Sequence, residues 1–202
     1  MRNIKILTAC GLKHTEYLSE CIQSTMNFAE HLYEIDNKQE GKAAIMDRLL
    51  RKVGNYDIVG VLDADDIATP EMFSEHRLNL LNRYDVVYGD IQNVDEQGNK
   101  SLHPGRPFDR SQLYRINIIP FSGVLINGWL AKLERYPIQK HVGDWLYWNA
   151  LLKHSVKFRY EPGIVSIRKT WTSYYGGSKI PVYRKVKRLL RDHNARQIIK
   201  KI

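Results

Sequence analysis

Three carboxylates, Asp63, Asp65 and Asp66, crowd one short stretch of the segment VGVLDADDIATPEMF at 59–73. They follow an apolar run and precede a helix start signal. That context sets them at the carboxyl end of a buried strand, where open α/β sheets bind their ligands. Acids this close repel one another unless cations or hydrogen-bond donors compensate them. A hard divalent ion, magnesium or manganese, binds through one or two carboxylates and takes further ligands from substrate phosphates. The spacing therefore suits a metal diphosphate. A local reading competes with it, in which Asp66 and Thr69 cap the next helix and the other acids face water.

The flanking elements decide what such a cluster can face. Residues 4–7 (IKIL) read as a buried strand, and Leu18, Cys21, Ile22, Thr25 and Met26 share one face of a helix starting at Thr15, its expected cap. HLYEID at 31–36 is a second strand. Ile45, Met46, Leu49, Leu50 and Val53 define a second helix, and YDIVGVL at 56–62 a strand covered on both faces. Thr69-Pro70-Glu71 opens a helix expected to run toward Tyr84, before a strand at 84–90. Strand and helix thus alternate through the first ninety residues, which predicts an α/β fold with a mostly parallel, doubly wound sheet. Farther on, FSGVLI at 121–126 reads as a strand. Residues 143–154 read as a helix with Trp145, Trp148, Leu151 and Leu152 inward, and Phe158–Tyr160 and Ile164–Ile167 as two short strands around Pro162-Gly163.

With these pieces in order, the chain resembles the family-two glycosyltransferases, which have the type A nucleotide-sugar fold. Leu62-Asp63-Ala64-Asp65-Asp66 followed by Thr69-Pro70 is similar to that family's D-x-D segment. IKILTACGLKHTEYLSECIQS at 4–24 resembles its first strand, loop and helix, YEIDN at 33–37 its second strand, and VVYGD at 86–90 the strand after the metal site. Gly143-Asp144-Trp145-Leu146 is similar to the acidic pair heading the helix with the catalytic base, and IVSIRKTWTS at 164–173 to a late strand and loop near the diphosphate. The likeness spans about residues 3–177. It implies that Asp65 binds the divalent ion and that Asp63 contacts the donor ribose or the ion's water shell. Asp36 would accept a hydrogen bond from the nucleotide base, and Asp144 would take the proton of the acceptor hydroxyl in an inverting single displacement. By the same resemblance the carrier is uridine diphosphate. Two departures stand out. Thr170 occupies the position where many members place a metal-completing histidine, and the usual arginine-asparagine pair after the second strand is not evident. Arg168 or Lys169 is left to steady the diphosphate, and Lys42 or Arg48 to replace the missing arginine. For Asp144 the alternative is a helix cap, and for Asp36 a strand-end turn acid.

Charge is distributed unevenly. The 202 residues carry a formal net charge of +9, yet residues 179–202 hold nine Lys or Arg against Asp192 alone. The preceding 178 residues contain 22 basic and 21 acidic side chains. Val182, Val186, Leu189 and Leu190 share a helical face of this tail, flanked by basic residues that include Lys185 and Arg188. Such a segment fits a polyanionic partner, either DNA or an anionic glycan or membrane surface. Trp171, Tyr174 and Tyr175 just upstream are candidates to hold an extruded base. We expect a transferase domain over residues 1–178, its donor half at 1–90 and acceptor side at 91–178, followed by the basic helix 179–202. The preferred acceptor is a hydroxymethylated pyrimidine in DNA, with lipopolysaccharide or surface polysaccharide as the alternative.

Composition narrows the classes. Hydrophobic residues make up 43% and charged residues 26%, which excludes a disordered or fibrous chain. The longest apolar runs, such as IVGVL at 58–62, are too short to span a bilayer, and no signal peptide is recognisable. Two cysteines, Cys10 and Cys21, make no disulfide framework, so a reducing cytoplasm is expected. Two rival classes remain. A haloacid dehalogenase-type phosphotransferase would use Asp63 as nucleophile and Asp65 as acid, but that motif sits near the chain start and wants Thr or Val where Ile67 stands. A non-catalytic nucleic-acid-binding protein on a degenerate transferase scaffold would explain the missing histidine, but not the intact acids.

Overall fold

The computed structural model of the chain describes residues 2–137 and 143–170. The expected acceptor contacts Trp171, Tyr174, Tyr175, Lys185 and Arg188, and the basic segment 179–202, lie outside the described residues. One sheet organises the rest. Its strands are β1 (Ile4–Cys10), β2 (Glu30–Ile35), β3 (Ile58–Val61), β4 (Asp66–Ala68), β5 (Val86–Val94), β6 (Lys100–His103), β7 (Val124–Asn127) and β8 (Phe158–Lys169). Their order is β2-β1-β3-β7-β5-β8-β4, with β6 hairpinned onto β5. Strands β1, β2, β3, β5 and β8 run one way, and β4, β6 and β7 run against them. The helices are α1 (Thr15–Gln23), α2 (Lys42–Lys52), α3 (Glu75–Leu80), α4 (Arg110–Leu113) and α5 (Gly143–Leu151).

Side chains one residue apart on a strand point to opposite faces, and the core follows that rule. Leu7, Val59, Val86 and Val124 pack on one face with Ile45, Met46 and Leu49 of α2 and Trp145, Trp148 and Leu151 of α5. Their neighbours Ile6, Ile58, Val87 and Leu125 pack on the other with Cys21 of α1 and with Met72, Phe73 and Leu81. The result is an α/β/α sandwich. Strand β1 has β2 on one side and β3 on the other, both parallel to it, so the chain reverses its direction of travel across the sheet at this point. Connections leave β1 and β3 in opposite directions at their carboxyl ends, the place where open α/β sheets bind their ligands.

Tertiary partners override several local signals. Residues 66–68 join the sheet as β4, so Asp66 caps no helix. The Thr69 hydroxyl donates to the Ile164 carbonyl instead of capping. The single helix expected from Thr69 toward Tyr84 becomes a 3-10 turn at Pro70–Phe73 followed by α3, whose cap is Ser74. Thr15 is not a cap either. It is the first residue of α1, its hydroxyl donates to Leu12 O at 3.0 Å, and the helix stops before Thr25, leaving Met26 exposed. The two short strands at 158–167 are one strand, β8, which runs through Pro162-Gly163 with an irregular register. Gly163 sits at φ 126, where a side chain would be strained. The buried Arg77 donates to the Glu161 and Pro162 carbonyls, each at 2.8 Å, and Asp90 accepts from Gly163 N at 2.9 Å.

A buried polar chain supports the end of β3 from beneath. His31 Nδ1 lies 2.7 Å from Thr25 Oγ1, and its Nε2 lies 2.9 Å from Thr8 Oγ1. Thr8 in turn donates to the Leu62 carbonyl at 2.9 Å, while the Cys21 thiol reaches the Asp63 carbonyl at 3.5 Å. In the Nε2-protonated tautomer Thr25 Oγ1 donates to Nδ1 in place of the Ile22 carbonyl 3.0 Å away, and the chain runs in one direction from Thr25 to Leu62. Burial lowers the His31 pKa from 6.5 to about 4, so the imidazole stays neutral. The unfolded chain protonates His31 below pH 6.5 and the folded chain only near 4, so acid favours unfolding across that window. Relative to His31→Gln, wild-type stability should therefore be highest above pH 6.5 and fall by about 2–3 kcal/mol as the pH approaches 4. Urea unfolding of both proteins across this range measures the difference; parallel profiles would remove His31 as its source.

Candidate active site at the carboxyl edge of the sheet

The loops leaving β1, β2 and β3 deliver the first groups. His14 follows β1, Asp36 follows β2, and Asp63 and Asp65 follow β3. The first helical residue of α2, Lys42, reaches across and pairs with Asp63 through Nζ and Oδ1, and its ammonium stands 5.1 Å from the centre of the Phe121 ring. Burial opposes ionisation of Asp63, but the Lys42 charge and hydrogen bond hold its carboxyl below the ordinary value. Desolvation likewise works against the Lys42 ammonium, and Asp63 outweighs it, so the lysine pKa is raised. The Asp63 amide meets Ser122 Oγ at 3.3 Å. Asp65 Oδ2 lies 3.5 Å from His14 Nδ1, which closes the gap between the β1 and β3 loops.

Asp66 is a different acid from its neighbours. It is only 1% exposed, and its Oδ2 has no hydrogen-bond partner among the described residues. Arg168, opposite it in the β4–β8 ladder, approaches no closer than 3.9 Å. Burial, with the charge of Asp63 behind it, pushes the Asp66 carboxyl up to about 7. The other basic candidates separate clearly. Arg48 is taken by Glu34 and by Glu40 at 2.8 Å, and Lys169 pairs with Glu20, whereas Lys42 and Arg168 face the acids. Thr170 is tied to the Val94 carbonyl by its amide at 2.9 Å and its hydroxyl at 3.2 Å.

Asp144 enters from the first turn of α5, and Asn117 donates to its Oδ2 at 2.8 Å. Burial raises its pKa, against the pull of Lys42 and the Trp145 amide, and the charge of Asp63 raises it further. Asp144, Lys42 and Asp63 therefore act on one another across the same space. Asp36 stands at the margin. Its two oxygens accept from the Glu40 and Gly41 amides, each at 2.8 Å, so it shapes the loop that presents Lys42. Sequence reasoning missed Asn117, His14, Ser122 and Phe121. None carries a motif, and each gains its role by a contact far along the chain. A groove of about 430 Å³ lined by Arg2, Tyr56, Asn127 and Trp129 lies at the opposite edge, where β1 and β3 begin, and is separate from this site.

The donor set is all carboxylate oxygen apart from His14, which suits a hard ion. No three His, Cys, Asp or Glu side chains converge on one point among the described residues. The orphaned Oδ2 of Asp66 is buried from solvent. These residues fit a divalent ion only where a diphosphate supplies most of its ligands, with Asp65 and Asp63 the protein's share. Cys10 and Cys21 are free and buried, and among the described residues no helix is long and apolar enough to cross a membrane.

No protein-family model matches the chain, and no curated protein matches it in sequence. Solved structures do. S. aureus TarS 1-349 in complex with UDP-GlcNAc matches with a TM-score of 0.61 at 11% identity, over 93% of this chain and 65% of that one. TarS 1-349 without that ligand gives 0.58 at 11% identity, over 83% and 60%. The inositol-1-phosphate CTP transferase from T. maritima gives 0.50 at 10% identity, over 94% of this chain and 96% of that one. The chain thus spans about 60% of the length of TarS 1-349. The chain has a GT-A-like fold.

Proposed function

We propose that the chain is a glycosyltransferase that moves a sugar from a nucleoside diphosphate donor, uridine diphosphate by preference, to a hydroxyl of a large anionic acceptor. The observation that carries this reading is the grouping of Lys42, Asp63 and Asp144 at one sheet edge, with Asp144 oriented by Asn117. Asp36 and Asp63 would bind the nucleoside, and Arg168 the diphosphate. A divalent ion, manganese or magnesium, held by Asp65 with the donor phosphates would offset the charge gathering on the leaving diphosphate. Asp144 would remove the proton as the acceptor oxygen attacks the anomeric carbon from the face opposite the diphosphate, which inverts that centre. Its raised pKa suits the role, because a base is most effective when its pKa approaches the working pH.

For the acceptor, the excess positive charge of residues 179–202 supports a polyanion, and a hydroxymethylated pyrimidine in DNA is the reading we favour. Surface glycan assembly is the alternative. Nucleotidyl transfer is a second reading, favoured by the near-complete coverage of the T. maritima CTP transferase. Incubation with manganese, nucleotide sugars and hydroxymethylated DNA, followed by digestion to nucleosides and mass spectrometry, separates them. A hexose or pentose increment on the modified base is the expected result. Nucleoside diphosphate release without an increment would move the acceptor to glycans, and in a parallel incubation with nucleoside triphosphates and sugar phosphates, pyrophosphate release would move the chain to nucleotidyl transfer.

Two variants refine the reading. Asp144→Asn should retain UDP binding while turnover falls by about 10²–10⁴-fold, and the acidic limb of the wild-type kcat/KM profile should lie above the ordinary carboxylate range. Unchanged turnover would remove Asp144 as the base. Deleting residues 179–202 should lower the slope of log affinity for DNA against log salt by about 0.9 for each phosphate that the tail neutralises. An unaltered slope would assign DNA binding to another surface.

A further inference from the structure

Lys42 is the cation already in place on Asp63. Its ammonium is paired with Asp63, stands over the Phe121 ring at 5.1 Å, and senses the charges of Asp144 and Asp66. The loop that delivers it is held by Asp36 through the Glu40 and Gly41 amides, and Gly41 at φ 89 turns the chain directly into α2. The lysine therefore has a built approach to the acids. A divalent ion and an ammonium cannot both use the same carboxylate oxygen without strong repulsion at that range. Withdrawing Lys42 into water would leave Asp63 uncompensated beside Asp66, and a diphosphate offers the lysine a new partner of higher charge.

We propose that Lys42 is an internal counter-ion. It keeps a free divalent cation off Asp63 and passes to the donor's diphosphate on binding, so that ion and nucleotide enter the site together. This rests on the nucleotide-sugar reading above and adds to it the order of cation exchange. Coupling between two ligands is reciprocal, so UDP tightens the ion by the factor by which the ion tightens UDP. Much of that factor comes from relocating Lys42, and it shrinks when the ammonium is absent.

The test uses the full chain and its Lys42→Met, Lys42→Arg and Asp63→Asn variants. Manganese binding is followed by the paramagnetic signal of the free ion, with and without UDP, and UDP binding by calorimetry in chelator. Wild type should bind manganese weakly alone and about tenfold or more tightly with UDP, within the usual range of coupling. K42M should bind manganese alone about tenfold more tightly than wild type and UDP in chelator about tenfold more weakly, while K42R resembles wild type. D63N, which frees the lysine at the outset, should bind inorganic pyrophosphate in chelator more tightly than wild type, a ligand without the nucleoside that Asp63 is proposed to contact, and this arm stands even if K42M folds poorly. K42M with wild-type affinity for both ligands, or D63N with no gain for pyrophosphate, would overturn the proposal. Failure of every variant and of wild type to bind UDP, with or without manganese, would instead sink the nucleotide-sugar reading and with it the exchange. A manganese gain in K42M would even then retain Lys42 as the counter-ion of Asp63.

Discussion

Mutual repulsion among Asp63, Asp65, Asp66 and Asp144 is the constraint around which the rest of the molecule is arranged. Asp63 and Asp65 come from the loop after β3, Asp66 from the start of β4 and Asp144 from α5, and the sheet delivers all four to one edge. Each has a different compensation. Asp63 has Lys42, Asp65 has His14, Asp144 has Asn117, and Asp66 has Arg168 at 3.9 Å while burial disfavours its charge. The consequence is a division of states rather than four equal acids. Asp63 is held ionised, while Asp66 titrates near neutrality and Asp144 is shifted upward. Environments that push neighbouring carboxyl groups apart let one site hold charge and move a proton at the same time.

The scaffold makes that division possible because it fixes backbone before it fixes side chains. The polar chain from Thr25 through His31 and Thr8 ends on the Leu62 carbonyl, and Cys21 reaches the next one. On the far side, Arg77 and Asp90 fasten the irregular part of β8, which carries Arg168 to its place opposite Asp66. Both supports lie within the protein body, where an unpaired polar group is costly, so their geometry is shared with the core and not with solvent.

How far the sequence reveals this arrangement depends on the range of the interaction. Period-two and period-3.6 apolar patterns place β1, β2, β3, α2 and α5, because burial on two faces of a sheet leaves a local imprint. The D-x-D stretch and the start of α5 are legible for the same reason, since a strand end and a helix start are both local. Thr69 reads as a cap because nothing nearby shows that β8 will present the Ile164 carbonyl to it. Pro162-Gly163 reads as a break because its compensation comes from Arg77, far back in the chain. Strand β6 has no buried residue and hence no apolar pattern, and α4 is a single turn. Asn117 and His14 acquire meaning only when Asp144 and Asp65 arrive beside them.

On the nucleotide-sugar reading, an anionic donor entering this acidic edge would pose an electrostatic problem that the chain's overall charge does not solve. The excess of basic residues is concentrated in 179–202, and the preceding 178 residues are nearly balanced. A tail of that charge raises the local concentration of a polyanion over a Debye length of about 8 Å at physiological salt, which is long for docking but no remedy for contacts inside the cleft. Charge compensation at the diphosphate must therefore be supplied at contact range. Among the described residues, Lys42 and Arg168 are the lysine and arginine side chains that approach the acids there, one from each flank of the β3 loop. Two monovalent cations against three or four carboxylates and a diphosphate leave a deficit, and a divalent ion shared between Asp65 and the phosphates would close most of it. The protein's own cations lie on its own acids, and on this reading a donor would redistribute them.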